Sequence, residues 1–245
     1  MMHKEFVRIV RIWSQTLLPP VVTTSLYFIV FGAFIGSQLA PIHGYSYMQF
    51  IVPGLIMMSV ITSSYMNAVS TFYFAKWTKN LEEMLVSPVP DWVIILGFVS
   101  GGVLRGLMVG VMVLLVSLIF AHLSIYSIAA LVAAVVLTSV LFALAGLING
   151  VFANSFDGIS IVPTFVLTPL TYLGGVFYSI SALPPLWQHV SLFNPILYMV
   201  NAFRWGFLGI SDVPLWQCFA VLLGLMVVLV GVLLYLFKKG IGVRS

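Results

Sequence analysis

Charge is confined to a few short stretches of this chain, and that confinement sets the solvent in which it can fold. Ten Lys or Arg and six Asp or Glu are all the charge that 245 residues carry. Five of them fall within KWTKNLEEMLVSPVPD, residues 76–91, between two long apolar runs. A soluble domain is about 25% charged; this chain is 7% charged and 62% hydrophobic. So little charge cannot clothe a water-facing surface, and the bilayer is the expected solvent. Runs of roughly 20 apolar residues cross it as helices. The expectation is therefore an all-α membrane protein, one transmembrane domain over residues 1–245.

Six runs have the length and hydropathy of a span: residues 19–36, 50–74, 92–121, 128–151, 159–178 and 215–237. The fourth carries Ala129, Ala130, Ala133, Ala134, Ser139, Ala143 and Gly146, small residues whose four-residue spacings let helix backbones approach. The fifth is interrupted by Pro163 and Pro169. Lys4, Arg8 and Arg11 precede the first span, Lys76 and Lys79 follow the second, and Lys238, Lys239 and Arg244 follow the sixth. The turn between the first two spans has no Lys or Arg. These cations share one side, which the positive-inside bias makes cytoplasmic, together with both termini. Cations set in short segments beside apolar runs also argue against a nucleic-acid partner, despite a pI near 9.3. Cys218 is alone, so no intramolecular disulfide can form.

Residues 1–18 lack the compact apolar core and small-residue cleavage site of a signal peptide. On a helix, Phe6, Ile9, Val10, Trp13 and Leu17 share one face, and Lys4, Arg8, Arg11 and Gln15 the other. That pattern suits an interfacial helix with its cations toward anionic headgroups, with a frayed tail as the alternative. Pro19-Pro20 stops it and can open the next helix. Residues 179–214 are apolar enough to enter the membrane, yet Pro184, Pro185 and Pro195 divide them. Two half-helices, 185–193 and 195–209, account for the stretch. The second is about 21 Å long, too short to cross comfortably. A re-entrant hairpin on the outer side fits; a helix resting on the outer leaflet is the alternative.

Within the charged stretch, Trp77, Leu81, Met84 and Leu85 form an apolar stripe with Glu82 and Glu83 beside it. Asp91 can sit at the start of the third span, where a carboxylate is favoured. Ser87-Pro88 ends the short helix. Held between two spans, such a helix is a lever whose stripe could face a partner's groove; a solvated loop satisfies the same residues.

LEEMLVSPVPDWVIILG resembles the cytoplasmic segment of the ABC-2 type exporter permeases, on their YadH-like and NodJ-like branch. The resemblance continues through FIVPGLIMMSVI, GLINGVFANSFDGIS, VPTFVLTPLTYLGGVFYSISALPPLWQ and FNPILYMVNAFRWGFLG, in family order and spacing. It implies six spans, an N-terminal interfacial helix, a coupling helix at residues 76–91 and re-entrant helices at 179–214. It implies a pair of such subunits with two cytosolic ATPase subunits docked beneath them. The ATPases would use ATP and Mg, and this chain would bind no cofactor of its own. By the same resemblance Leu81, Glu82, Glu83, Met84 and Leu85 contact the ATPase, and Asn194, Pro195, Tyr198 and Arg204 mark the re-entrant segment. Spans one and five, with Gly32, Gly36, Thr168, Tyr172 and Gly174, would face the twofold axis.

The residues themselves exclude other chemistry. No G-x-x-x-x-G-K-[ST] occurs, so ATP hydrolysis is expected in another subunit. H-E-x-x-H and G-x-S-x-G are missing too, and His3, His43, His122 and His189 have no ligand spacing. Arg105, inside the third span, costs at least about 2.5 kcal/mol at the bilayer centre, so a carbonyl, carboxylate or water must meet it. Arg204 can cap carbonyls or meet headgroups. Neither has the acidic partners of a proton relay: after Glu83 the only acids are Asp91, Asp157 and Asp212. An exporter moving an amphipathic lipid-like or glycan-type cargo by alternating access is the reading, with an ion-coupled transporter or a non-transporting scaffold as alternatives. Tyr27, Phe28, Tyr65, Phe165, Tyr172 and Phe177 can line an aromatic path for such a cargo, or simply pack.

Overall fold

Prolines and capping residues decide where each helix of this chain starts. The structure, a computed structural model, describes residues 7–9 and 11–242. Lys4, Phe6 and Val10 of the expected amphipathic helix, and Arg244 of the cation count, lie outside the described residues. A short α1 (Trp13–Thr16) leads into α2 (Leu18–Tyr27), with prolines in its first turn, where no intrahelical amide bond is lost. The helix continues in π geometry over Phe28–Ile35 and closes with a 3-10 turn at Gly36–Gln38. Ser46 and Gln49 cap each other's backbone amides and open α3 (Tyr47–Trp77). Then come α4 (Asn80–Val86), α5 (Asp91–Phe120) and α6 (Ile128–Phe152). A broken helix follows, α7 (Phe156–Val162), a π segment over Pro163–Leu167 and α8 (Thr168–Tyr172). The chain ends with α9 (Pro185–Leu192), α10 (Pro195–Leu208) and α11 (Leu215–Lys239).

Helix α3 is the axis of the bundle. Its most membrane-like stretch is 78% buried, against 17% for α11. Helices α5 and α6 pack on it through glycines. A Cβ on Gly102 would stand 2.9 Å from the Ser64 carbonyl oxygen, and one on Gly146 would stand 2.5 Å from that of Tyr65. Close backbone approach at small residues is what the spacing in the fourth span implied. Ser59, Ser63, Ser64 and Asn67 of α3 are buried in this packing.

Among the described residues, five helices are long and apolar enough to cross a membrane: Trp13–Gly32, α3, α5, α6 and α11. The proline-broken segment from Phe156 to Tyr172 is not among them. Its 17 residues reach about 25 Å at 1.5 Å each, short of a hydrocarbon core of about 30 Å. The span expected to run to Tyr178 stops at Tyr172 because Gly174 and Gly175 turn the chain, Gly175 with φ +72°.

The N-terminal segment also departs from expectation. It breaks at Ile12 and Leu17 instead of forming one helix. Arg8, expected to face headgroups, donates from Nη2 to Asn67 Oδ1 and Thr71 Oγ1 of α3, both at 3.0 Å. Ile9 is buried beneath it, whereas Trp13, assigned to the same apolar face, is exposed. Polar groups on α3 offer Arg8 a better partner than its own helix face does.

The bundle has two distinct ends. One gathers residues 7–17, α4 and residues 240–242; the other gathers the turns 39–46, 121–127, 173–184 and 209–214.

Candidate functional site

At the terminal end, α3 is joined to α4 through Lys79, whose φ is +61°. That left-handed corner folds α4 back under the bundle. Leu81, 1% exposed, joins a cluster with Phe72, Phe98, Leu147, Leu236 and Phe237. Met84 and Leu85 lean on the same cluster, half-buried. The expected stripe therefore faces inward, apart from Trp77, which is exposed. Glu83 and Val86, the latter 87% exposed, lie on the outer side of α4, and Glu82 is exposed at the cavity beside the joint. Leu81 anchors the lever within the chain, while Glu82, Glu83 and Val86 are exposed and Met84 and Leu85 keep part of their surface open. Lys76 Nζ donates to the carbonyls of Val151 and Ala153 at 2.9 and 3.4 Å. A cavity of about 250 Å³ lies beside this joint, lined by Tyr73, Lys76, Lys79, Leu81, Glu82 and Asn154 among others.

At the opposite end, α9 and α10 start within a residue of the expected positions. Asn194 Oδ1 accepts the Ile196 amide at 3.0 Å, and its Nδ2 donates to the Leu170 carbonyl at 2.6 Å. Pro195 occupies the first turn, and Tyr198 Oη donates to Leu192 O at 2.8 Å. Helix α10 is enclosed by protein, with Leu197, Val200, Asn201 and Ala202 fully buried. Helix α9 is the reverse, with Leu186, Trp187 and Val190 exposed, as is Phe193 just after it.

Arg204 is the centre of a buried polar hub. It is 1% exposed, donates to the Gly175 carbonyl at 2.6 Å and lies 3.8 Å over the Phe50 ring. Its Nη1 is 3.9 Å from Asp212 Oδ2. Asp212 in turn accepts from the Ser179 hydroxyl and, at 3.3 Å, from the Ile180 amide. Asn201 Oδ1 accepts the Asp212 amide at 2.8 Å and the Ser211 hydroxyl at 3.3 Å. One network thus ties α3, the turn after α8, α10 and the turn before α11. No acidic partner for Arg204 was legible from the residues; the structure supplies Asp212, brought back by the left-handed Gly209 (φ +70°) that ends α10. The available signal was an Asp among apolar residues in a chain so short of acids.

The aromatic and axis residues divide. Tyr27 and Tyr172 hydrogen-bond through their hydroxyls at 2.7 Å. Phe177 stacks on Tyr172 with centroids 5.6 Å apart and meets Phe31 at 4.8 Å. Thr168 and Phe165 lie on the exposed side of the broken helix. Phe28 is fully buried against Phe120, and Tyr65 is buried in the core. Gly32 makes room for Met48 and Gly174 for Ile196. All four make these contacts within the chain. Between α2 and α3, Thr23, Thr24, Ser59, Thr62 and Ser63 line a groove of about 250 Å³ beside Tyr27.

With this geometry in place, the comparisons define the class. Residues 1–208 match the ABC-2 type transporter family, and the chain belongs to it. Membrane subunits of such transporters are helical, as this chain is. Among individual relatives, it is 58% identical over 242 residues to the inner membrane transport permease YadH of Escherichia coli (strain K12), covering 99% of this chain and 94% of that one. It is 24% identical over 185 residues to nodulation protein J of Rhizobium meliloti (strain 1021), 75% of this chain and 71% of the other.

Proposed function

We propose that the chain is the membrane-spanning permease of an ATP-driven exporter, working as a pair with two cytosolic ATPase subunits that hold the ATP and Mg. The observation that carries this reading is α4: a short helix locked to the bundle by Leu81, with Glu82, Glu83 and Val86 exposed. A rigid lever with a charged outer face suits docking of a separate subunit. In this reading the terminal end is cytoplasmic, supported by the grouping there of Arg8, Lys76, Lys79, Lys238 and Lys239. The membrane is a bacterial inner membrane, as the name of the YadH relative suggests. The segment from Phe156 to Tyr172 makes the sixth crossing, helped by local thinning or by burial of its ends in protein. Helices α9 and α10 form the re-entrant hairpin, α9 facing lipid with its aromatic side.

The cargo is amphipathic. The hydroxyl-lined groove between α2 and α3 adjoins the Tyr27–Tyr172–Phe177 cluster, and the pairing offers polar and apolar contacts side by side. Replacing Glu82 and Glu83 together with Lys tests the docking reading. ATPase co-purification and ATP-dependent efflux should both be lost while the permease stays in the membrane; normal binding and efflux would overturn it. Orientation is checked separately: an impermeant thiol reagent applied outside should modify Ser46→Cys and spare Ser87→Cys.

A further inference from the structure

Helix α6 touches both ends described above through specific contacts. At its C-terminus the final carbonyls lack intrahelical partners and the helix dipole favours a cation. Lys76 supplies one, reaching Val151 and Ala153 from the last turn of α3. At its other end the amides of Tyr126 and Ser127, immediately before α6, donate to the Gly206 carbonyl in the last turn of α10, at 3.0 and 2.9 Å. The two helices meet there without a spacer, since a Cβ on Gly206 would stand 2.7 Å from Leu131 Cγ. Between these joints α6 runs 25 residues without proline, about 37 Å of unbroken helix.

We infer that α6 is the rod through which the lever and the polar hub move together, and that Lys76 is the positioning residue of its lower joint. The inference rests on the exporter reading above. Lys76 lies three residues before the left-handed corner at Lys79, so its bonds tie the root of α4 to α6 as well as to α3. Leu81 makes a second tie, sharing a cluster with Leu147 and Val151 of α6. A force on α4 therefore displaces the end of α6, and α6 carries the donors that hold Gly206, two residues from Arg204. Side chains that merely cap a helix stabilise it; a joint also transmits motion, and the two roles separate by measurement.

The test uses the assembled permease–ATPase complex with a reporter thiol at Ile210→Cys, beside the hub. Its reactivity toward an impermeant maleimide is read without nucleotide and with ATP plus vanadate. Cys218 is buried and adds little background. Lys76→Met, which keeps the stem and loses the cation, should leave assembly and basal hydrolysis intact. It should shrink the ATP-driven change in reactivity about tenfold, within the span of measured coupling mutations. Lys76→Arg should restore most of it. Gly206→Ala, at the other joint, should produce the same loss with Lys76 in place, which keeps the test open if Lys76→Met assembles poorly. An unchanged response in Lys76→Met, or a parent whose Ile210→Cys ignores ATP while hydrolysing it, overturns the rod. A reporter parent that neither binds nor is served by an ATPase overturns the exporter reading instead.

Discussion

At the terminal end of the bundle the charge is outside and the anchor is apolar: Glu82 and Glu83 meet solvent while Leu81 is buried. At the opposite end the arrangement is inverted. Arg204 and Asp212 are enclosed, and the surface is left to side chains such as Phe193, which is 90% exposed. Buried charge must be answered by groups of the same chain, so the hub spends its interactions internally and resists change. Exposed charge keeps much of its hydration, so the outer face of the lever can be altered with less harm to the fold. The difference separates a part that holds the protein together from a part that addresses another protein.

The comparison breaks first at Asp212. Asp212→Ala leaves the Arg204 guanidinium buried without its counter-charge, and breaking such a pair costs about 3–5 kcal/mol. The solubilised protein should unfold at a clearly lower temperature; an unchanged midpoint would mean the hub is not structural. Leu81→Ala comes next, because truncating a buried leucine costs about 2–5 kcal/mol. Its loss should loosen α4 specifically, seen as faster amide exchange over Asn80–Val86 than in α10. Lys79 sharpens the picture at smaller scale. A non-glycine residue in the left-handed region is strained, more so if β-branched, so Lys79→Val should cost about 1–3 kcal/mol and Lys79→Gly should be tolerated or mildly stabilising. Smallest of all is the stability effect of the Glu82→Lys, Glu83→Lys pair. Its unfolding midpoint should match the parent even as ATPase binding is lost, and a large shift would blur the distinction between the two ends.

Much of this was legible in residues whose backbone chemistry is local. Pro185 and Pro195 placed α9 and α10 because proline belongs in a first turn. The small residues of the fourth span foretold close packing because a missing side chain is visible in any sequence. What escaped depended on geometry that no residue type announces. A lysine gives no sign of the left-handed corner at Lys79, so nothing in the sequence separated buried Leu81 from exposed Trp77 within the stripe. Asp212 looked unrelated to Arg204 until the turn at Gly209 brought them together. Arg8 looked like a headgroup contact because its partners, Asn67 and Thr71, are more than 50 residues away. Non-local contacts of this kind are fixed only once the helices have packed.

The burial of α3 bears on how the protein is made. Its Ser64 and Tyr65 are buried, Ser64 against Gly106 of α5 and Tyr65 against Gly146 of α6, helices that the ribosome has not yet produced when α3 leaves it. In lipid alone those groups would face hydrocarbon, an arrangement that polar side chains avoid by hydrogen-bonding across helices or lining protein. The nascent α3 is therefore expected to stay beside the insertion machinery until α5 and α6 emerge to cover it. Interrupting translation before α6 should leave a fragment that membrane quality control removes.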